Sequence, residues 1–467
     1  MGAAVRMGTP TGRAVVAAAT LGSGMAMLDG TVVNVALRRM GQDLDASLRE
    51  LQWITNAYLL ALASLILLGG SFGDRFGRRR VFVVGVVWFA LASLLCGIAP
   101  RPGVLIAARG LQGIGGALLT PGSLAMIQGS FAPEDRAPAI GAWSGLGSIA
   151  AAVGPFVGGA LVDHAGWRWI FLLNLPLALV TVLIAVRAVP ETRDPATAGR
   201  FDVPGALLAA TSLGAATYAL IEWGGTPAVL AAILGVLAGV AFVLVEARTA
   251  EPMMPLGLFG SRTFSAANAM TLLVYGALGA ITFFVVIELQ TVSGYGALAA
   301  GASFVPLTVL LLLLASRAGR LGQRIGPRGP MTVGPLVMAL GVLGMLRIGP
   351  DPSYLRDVLP PVVVFGLGLA LMVAPLTATV LAAAPDHNAG IASGINNAVA
   401  RAGSLLAVAA LPVLVGLHGK EYADPVAFQH SYTRAILVCA ALLAAGGIVS
   451  WVAIRRPTPR PVEQALD

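Results

Sequence analysis

Fourteen apolar stretches of about 18 residues or more follow one another along the chain, divided by short segments rich in charge, Pro or Gly. They start near residues 14, 51, 81, 103, 138, 168, 203, 227, 264, 298, 331, 358, 391 and 432. A backbone can cross a bilayer only as helices or as a closed barrel, and stretches of this length are helical spans. The chain therefore reads as an all-α polytopic membrane protein. Composition agrees: of 467 residues, 57% are apolar and 11% charged, which excludes an ordinary soluble globule, and so high an apolar content excludes a disordered chain. The loops are too short for a soluble catalytic or nucleotide-binding module, and no GxxxxGK[ST] loop occurs, so ATP bound by this chain does not drive it.

The formal charge of +8 comes from 30 basic side chains, all arginine except Lys420. They are scattered among the loops, which fits anchoring in a lipid bilayer and no nucleic-acid partner. An even number of spans puts both termini on one side. Taking that side as cytoplasmic places there Arg75, Arg78 to Arg80, Arg317, Arg320, Arg324, Arg328, Arg455 and Arg456, the bias expected of inner loops. The expected location is the inner (plasma) membrane of a bacterium, crossed many times, with both termini cytoplasmic. Arg6 and Arg13 before the first apolar run imitate a signal peptide, but the run continues through Asp29 to Leu37 without a convincing cleavage site, and reads as a retained first helix. Cys96 and Cys439 lie inside apolar runs, and His164, His387, His418 and His430 at segment ends or in loops, so neither a metal site, a cofactor nor a disulfide framework is expected.

A repeat divides the chain. The loop Gly70-Ser-Phe-Gly-Asp74-Arg75-Phe-Gly77-Arg78-Arg79 returns as Gly319-Arg-Leu-Gly-Gln323-Arg324-Ile-Gly326-Pro-Arg328, with Gly, Arg, Gly and Arg at the same spacing. Inner loops resemble one another in their arginines, but charge bias does not explain the matching glycines. Two pseudo-symmetric six-helix bundles follow, residues 1–190 and 256–467, the second ending in a cytoplasmic tail, with two inserted helices and their linkers in 191–255.

The longer motifs are Leu28-Asp29-Gly-Thr31-Val-Val-Asn34-Val-Ala-Leu37 in the first span, Arg109-Gly-Leu-Gln112-Gly113 in the fourth, Gly154-Pro155-Phe-Val-Gly158-Gly159 in the fifth, and Trp167-Arg168-Trp-Ile-Phe-Leu-Leu-Asn174-Leu-Pro176 entering the sixth. With the Gly70 to Arg79 loop, in this order and on these spans, the chain resembles the major facilitator superfamily, in particular its fourteen-helix drug:proton antiporter branch of multidrug and antibiotic-resistance exporters. The resemblance implies the major facilitator fold, alternating access and coupling through the Arg109 and Asp29 positions. Two departures stand out: Arg38 where the family has Pro after the first motif, and Gln323 where the second basic loop has an acid. The first is expected only to alter how the helix ends.

Asp29 is expensive at the middle of a span, about 2.5 to 3.5 kcal/mol on insertion scales, so it must face a cavity or a partner. Arg109 is that partner by depth: at 1.5 Å per residue both lie roughly 10 Å from the outer ends of their helices. Burial and a nearby cation act oppositely on a carboxyl group, so a movement that changes their separation changes proton affinity. A static bridge holding the two helices in register is the other reading.

Asn34, Tyr58, Gln112 and Asn174 lie at comparable depths, with Asn56 beside them, and line a shared wet cavity or else bond neighbouring helices. Glu222 and Glu288, toward the outer face, are placed to attract cationic lipophilic compounds, with Tyr275 or Tyr295 adding aromatic faces, or else are interfacial carboxylates that are solvated and inert. Gly390, Gly394, Asn397 and Arg401 form one stripe on the thirteenth span, assigned to the central cavity or to the interface between halves, with a structural tether as the other reading. Gly154, Pro155, Gly158 and Gly159 give a flat, bent helix suited to a moving interface, and the string resembles the signature of exporters. In the inner loop Gly70, Gly73 and Gly77 permit tight turns, while Asp74, Arg75 and Arg78 match the charged positions of the family's conformational latch, with Arg324 in the repeat.

The expected function is proton-coupled export of drugs, antibiotics or other small lipophilic organic compounds, by a single chain. A proton symporter or importer of a small organic solute, or a membrane-embedded enzyme, are the alternatives. An enzyme would need a nucleophile or metal cage that Asp29 and Arg109 do not supply.

Overall fold

The computed structural model describes residues 5–193, 202–385 and 388–454. Arg455, Arg456, His387 and the start of the linker before the inserted helices lie outside them. Sixteen α-helices and no strand are found among the described residues. In the N-terminal half these are α1 (Pro10–Asp43), α2 (Leu48–Phe76), α3 (Arg78–Gly97), α4 (Pro102–Ser130), α5 (Pro133–His164) and the broken pair α6 (Trp169–Leu172) and α7 (Asn174–Ala188). The inserted helices are α8 (Val203–Ile221) and α9 (Thr226–Glu246). The C-terminal half holds α10 (Arg262–Thr291), the broken pair α11 (Ala297–Ala302) and α12 (Val305–Ile325), then α13 (Arg328–Gly344), α14 (Leu359–Ala382), α15 (Ala389–Val415) and α16 (Pro425–Ala453).

Thirteen described helices, counting each broken pair as one, are long and apolar enough to cross a membrane. The fourteen expected stretches correspond to these thirteen together with α5, a 32-residue helix that occupies the place of the fifth span and packs along α1.

The helix pairs repeat between the halves. α2 packs on α4 as α12 packs on α14, α3 on α4 as α13 on α14, and α1 on α5 as α10 on α15. The sequence repeat is also a conformational one. Gly77 ends α2 at φ +108° and Gly326 ends α12 at φ +85°, a region that only glycine enters without strain. One turn or two earlier, Gly70 faces Pro121 of α4 and Gly322 faces Pro375 of α14; a Cβ would crowd the proline at Gly322, 3.0 Å away, but would make only ordinary contact at Gly70, 3.8 Å away. The expected turn at Gly70 and Gly73 is not there. Both lie within α2, and only Gly77 makes the turn.

Helix α8 lies against α2 and α15, and α9 reaches the rest of the protein chiefly through α8, where Ser212 Oγ donates to the Gly235 carbonyl at 2.9 Å. The other face of α9 exposes Val229, Leu230, Ile233, Leu237 and Leu244, an apolar surface with lipid as its natural neighbour.

The bundles meet through α1 with α10, α2 with α15, and α5 with α11 and α12. Gln290 Nε2 donates to the Val35 carbonyl at 2.8 Å, and Gln52 Nε2 donates to those of Val408 and Ala409 at 2.8 and 3.1 Å. Asp163 at the end of α5 accepts from the backbone N–H groups of Ala297 and Leu298 at 3.1 and 2.8 Å, capping α11 from across the interface. Lys420 pairs with Asp45, and the Tyr422 hydroxyl donates to the Ala46 carbonyl at 2.8 Å. Burial first, then the Asp45 and Glu50 carboxylates, push the Tyr422 phenol above its ordinary range, so it stays a donor. All these contacts lie at the end of the molecule where α1, α5 and α10 finish.

Candidate functional site

Two sites follow from this frame, a closed polar network inside the N-terminal bundle and an open cleft in the C-terminal one.

The network centres on Asp29, 1% exposed in α1, and Arg109, 1% exposed in α4. Arg109 Nη1 donates to Asp29 Oδ2 at 2.5 Å and to Gln112 Oε1 at 2.5 Å, while Arg109 Nε donates to the Ile54 carbonyl at 3.1 Å. Gln112 Nε2 donates to Asp29 Oδ1 at 2.8 Å and to Ser93 Oγ at 2.7 Å, and Asn174 Nδ2 reaches the same Ser93 Oγ at 3.2 Å. The Arg109 guanidinium lies 4.4 Å from the centre of the Tyr58 ring and 5.8 Å from that of Phe171. Helices α1, α2, α3, α4 and α7 thus converge on one ion pair. The spacing is local chemistry: Arg109 and Gln112 are three residues apart and share a face of α4.

The depth expected for Asp29 needs correction. Without proline at position 38, α1 continues past Arg38 to Asp43, its last turn held by the Arg39–Asp43 pair at 3.2 Å. Asp29 is therefore about 21 Å from that end, while Arg109 is about 10 Å from the start of α4. They meet because α1 overhangs α4.

The cleft has a volume of about 210 Å³ and is lined by Tyr275 of α10, Thr377, Val380 and Leu381 of α14, and Ser393, Asn396, Asn397, Ala400, Arg401 and Ser404 of α15. Asn396 Nδ2 donates to Asn268 Oδ1 at 3.1 Å and Thr271 Oγ1 at 2.8 Å, and Asn397 Nδ2 to the Ser393 carbonyl at 3.0 Å. Arg401 is half-buried and lies within electrostatic reach of Tyr58, across the interface from the network. Gly394 faces Leu67 of α2 closely enough that a Cβ would lie 2.7 Å from it, so this stripe serves both the cleft and the bundle contact.

The residues predicted to share one cavity are thus divided. Asn397 and Arg401 line the cleft, with Tyr275 beside them. Tyr58, Gln112 and Asn174 belong to the buried network. Asn34 is half-buried on α1 and bonds to no described side chain, and Asn56 is fully buried with neither amide atom bonded among the described residues. Glu222 caps α8, where it accepts from Arg49 Nη1 and Trp53 Nε1, both at 3.3 Å, and ties the inserted helix to α2. Glu288 is 0% exposed inside the C-terminal bundle, neither carboxyl oxygen hydrogen-bonded among the described residues. Neither acid lines the cleft. Tyr295 lies at the closed end, its hydroxyl 3.4 Å from the Pro352 carbonyl.

The fifth-span string packs on two sides. A Cβ on Gly154 would lie 2.3 Å from Thr31 Oγ1 and one on Gly158 2.5 Å from Val32, both on α1. On the other side a Cβ on Gly159 would lie 2.4 Å from the Leu298 Cα, and one on Gly301 2.4 Å from the Pro155 carbonyl oxygen. In the loop at the end of α2, Arg78 Nε donates to Asp74 Oδ1 at 2.8 Å, and Glu191 takes Arg79 and Arg80 at 3.6 and 3.7 Å, all within the same bundle. Arg75 is exposed in the last turn of α2, and Arg324 is exposed in that of α12.

Sequence reasoning missed Ser93, Asp163, Gln52, Gln290 and Glu191. Ser93 is a single hydroxyl in an apolar span, and the other four stand near span ends where polar residues are common. Nothing in one sequence shows which of them face another helix.

A helical bundle of two matching halves, with a buried ion pair in one and a cleft in the other, is a membrane transporter, and the chain belongs to the Major Facilitator Superfamily, which it matches over residues 19–408. Its relatives include the puromycin resistance protein of Streptomyces alboniger, 37% identical over 92% of this chain and 89% of that protein. The tetracenomycin C resistance and export protein of Streptomyces glaucescens is 36% identical over 85% and 75%, and a cephamycin export protein of Amycolatopsis lactamdurans is 33% identical over 93% and 91%. Among solved structures, an inward-facing bacterial homologue of the human lysosomal transporter Spinster superposes with a TM-score of 0.71 at 17% identity, covering 97% of this chain and all of that one. A D-xylose-proton symporter gives 0.68 at 14%, covering 95% and 98%.

Proposed function

We propose that this chain exports small organic compounds, drugs or antibiotics among them, from a bacterial cell in exchange for protons, and that the structure is its inward-facing state. Resistance and export proteins related over most of the chain support the first part. The second is supported by the contacts between bundles at the end assigned to the outside, and by the cleft beyond them between α14 and α15. The 1–190, 191–255 and 256–467 division makes the outer two segments the rocking bundles. Both termini face the cytoplasm on this reading, and one chain holds the whole pathway.

The observation that carries proton coupling is the buried Asp29–Arg109 pair, closed by Gln112. Asp29 as the anion takes Arg109 on one oxygen and Gln112 on the other. A proton on the carboxyl group removes the charge that holds the guanidinium, leaving Arg109 with the Ile54 carbonyl and Gln112. Both partners belong to one bundle, so rocking changes the side from which a proton reaches them more than their separation. The driving force is adequate, since each charge crossing 100 mV contributes about 2.3 kcal/mol before any pH gradient. Everted membrane vesicles test the reading: an imposed pH gradient should drive uptake of exported compounds, and an uncoupler should abolish it. Uptake that ignores the uncoupler removes proton coupling.

A further inference from the structure

Arg401 is a cation without an anion among the described residues. It stands about 18 Å along α15 from Ala389 at 1.5 Å per residue, and it lines the cleft. No described residue gives its guanidinium a carboxylate, and the polar groups that line the cleft beside it, Tyr275, Thr377, Ser393, Asn396 and Asn397, are neutral. The acids that could have balanced it are engaged or enclosed. Asp29 holds Arg109 and Gln112, Glu222 holds Arg49 and Trp53, and Glu288 is sealed within its own bundle. A guanidinium midway through an apolar slab is costly, and its planar fork of five N–H donors matches the two oxygens of a carboxylate.

We propose that the cleft selects organic anions, seating a carboxylate or similar oxyanion of the substrate on Arg401 while the amides and hydroxyls around it bind the rest of the molecule. The inference deepens the exporter reading and rests on it. It also reverses the preference for cations that Glu222 and Glu288 suggest when read from sequence.

The test uses the full chain in an efflux-deficient bacterium, challenged with inhibitory carboxylic acids, each paired with its methyl ester and with an amine on the same ring system. Fluorescein and rhodamine 123 serve as the anionic and cationic dyes for uptake into everted vesicles. Wild type should raise the inhibitory concentration of acids at least fourfold more than that of their esters and amines, and take up fluorescein in preference to rhodamine 123. Arg401→Gln should lose at least eightfold of the protection against acids, while Arg401→Lys, which keeps the charge but not the fork, should lose less than Arg401→Gln does. Protection of amines or esters equal to that of acids overturns the inference, and so does full protection against acids by Arg401→Gln. The acid-to-ester comparison in wild type decides the matter even if Arg401→Gln fails to fold. Protection against amines or esters alone leaves the exporter reading standing and removes anion selection. Protection against nothing overturns both.

Discussion

The Asp29 carboxylate and the Arg109 guanidinium meet at 2.5 Å with 1% of either residue exposed, and both belong to the N-terminal bundle. The pair is therefore no strut between moving halves. Its neighbours, Gln112 on both partners and Ile54 and Tyr58 on the arginine, complete an enclosure in which a change of charge is felt by five helices.

Asp29→Asn preserves the shape of the side chain and one acceptor while removing the charge. Expression and folding should be retained, and export driven by a pH gradient should fall to less than a tenth of wild type. Everted-vesicle uptake measures it, and undiminished gradient-driven export would end the coupling role of Asp29.

Arg109→Gln leaves Asp29 buried without its counter-ion, which costs about 3–5 kcal/mol when one partner of a buried pair is removed. The double variant Asp29→Asn/Arg109→Gln should be more stable than the single Arg109→Gln, because the stranded charge is gone. Thermal unfolding in detergent checks the order. A double variant less stable than the single one means that the pair contributes through shape rather than charge.

Gly159→Val places a branched side chain where even a Cβ would lie 2.4 Å from the Leu298 backbone. Backbone cannot yield as a side-chain tip does, so α5 and α11 should part and the outer side should open. Cysteines at the facing ends of α2 and α15 should crosslink at least fivefold less in this variant. Wild-type crosslinking with wild-type transport would show that close approach at this point is dispensable.

Asp74 pairs with Arg78 one turn on, at 2.7 Å, and among the described residues has no ion pair with the other bundle. If the inner loop latches the opposite, inward-closed state, Asp74→Ala should remove the pair with Arg78, leave the contacts between the bundles intact and shift the population toward this structure by about threefold, a change of less than 1 kcal/mol as for a partly exposed pair. Crosslinking across the inner ends of α2 and α12 reads the shift, and identical patterns remove the latch.

Glu288→Met replaces a sealed carboxyl group that has no hydrogen bond among the described residues by an apolar side chain of similar length. It should stabilise the protein by roughly 1–3 kcal/mol, the cost of an unsatisfied buried polar group. It should also leave the relative export of cationic and neutral compounds unchanged, since Glu288 does not line the cleft. Loss of stability, or altered charge selection, contradicts this placement.

Much of this protein was written along the chain. Span length and spacing gave the helices, because the bilayer forces every backbone group to be satisfied within its own segment. Of the glycines expected to turn the loop only Gly77 does, matched in the repeat by Gly326, since backbone at positive φ tolerates little else, while Gly70 and Gly73 stay helical. The pairing of Asp29 with Arg109 was legible too, because two opposite charges in a membrane have few alternatives. Tertiary structure alone decided the rest. It sent Gln112 and Asn174 into the ion-pair network and Asn397 and Arg401 to the cleft, tied Glu222 to Arg49, and sealed Glu288 away. A helix sequence fixes which side chains share a face, but the rotation of that face toward a neighbour, a cleft or lipid is set by packing against the other helices.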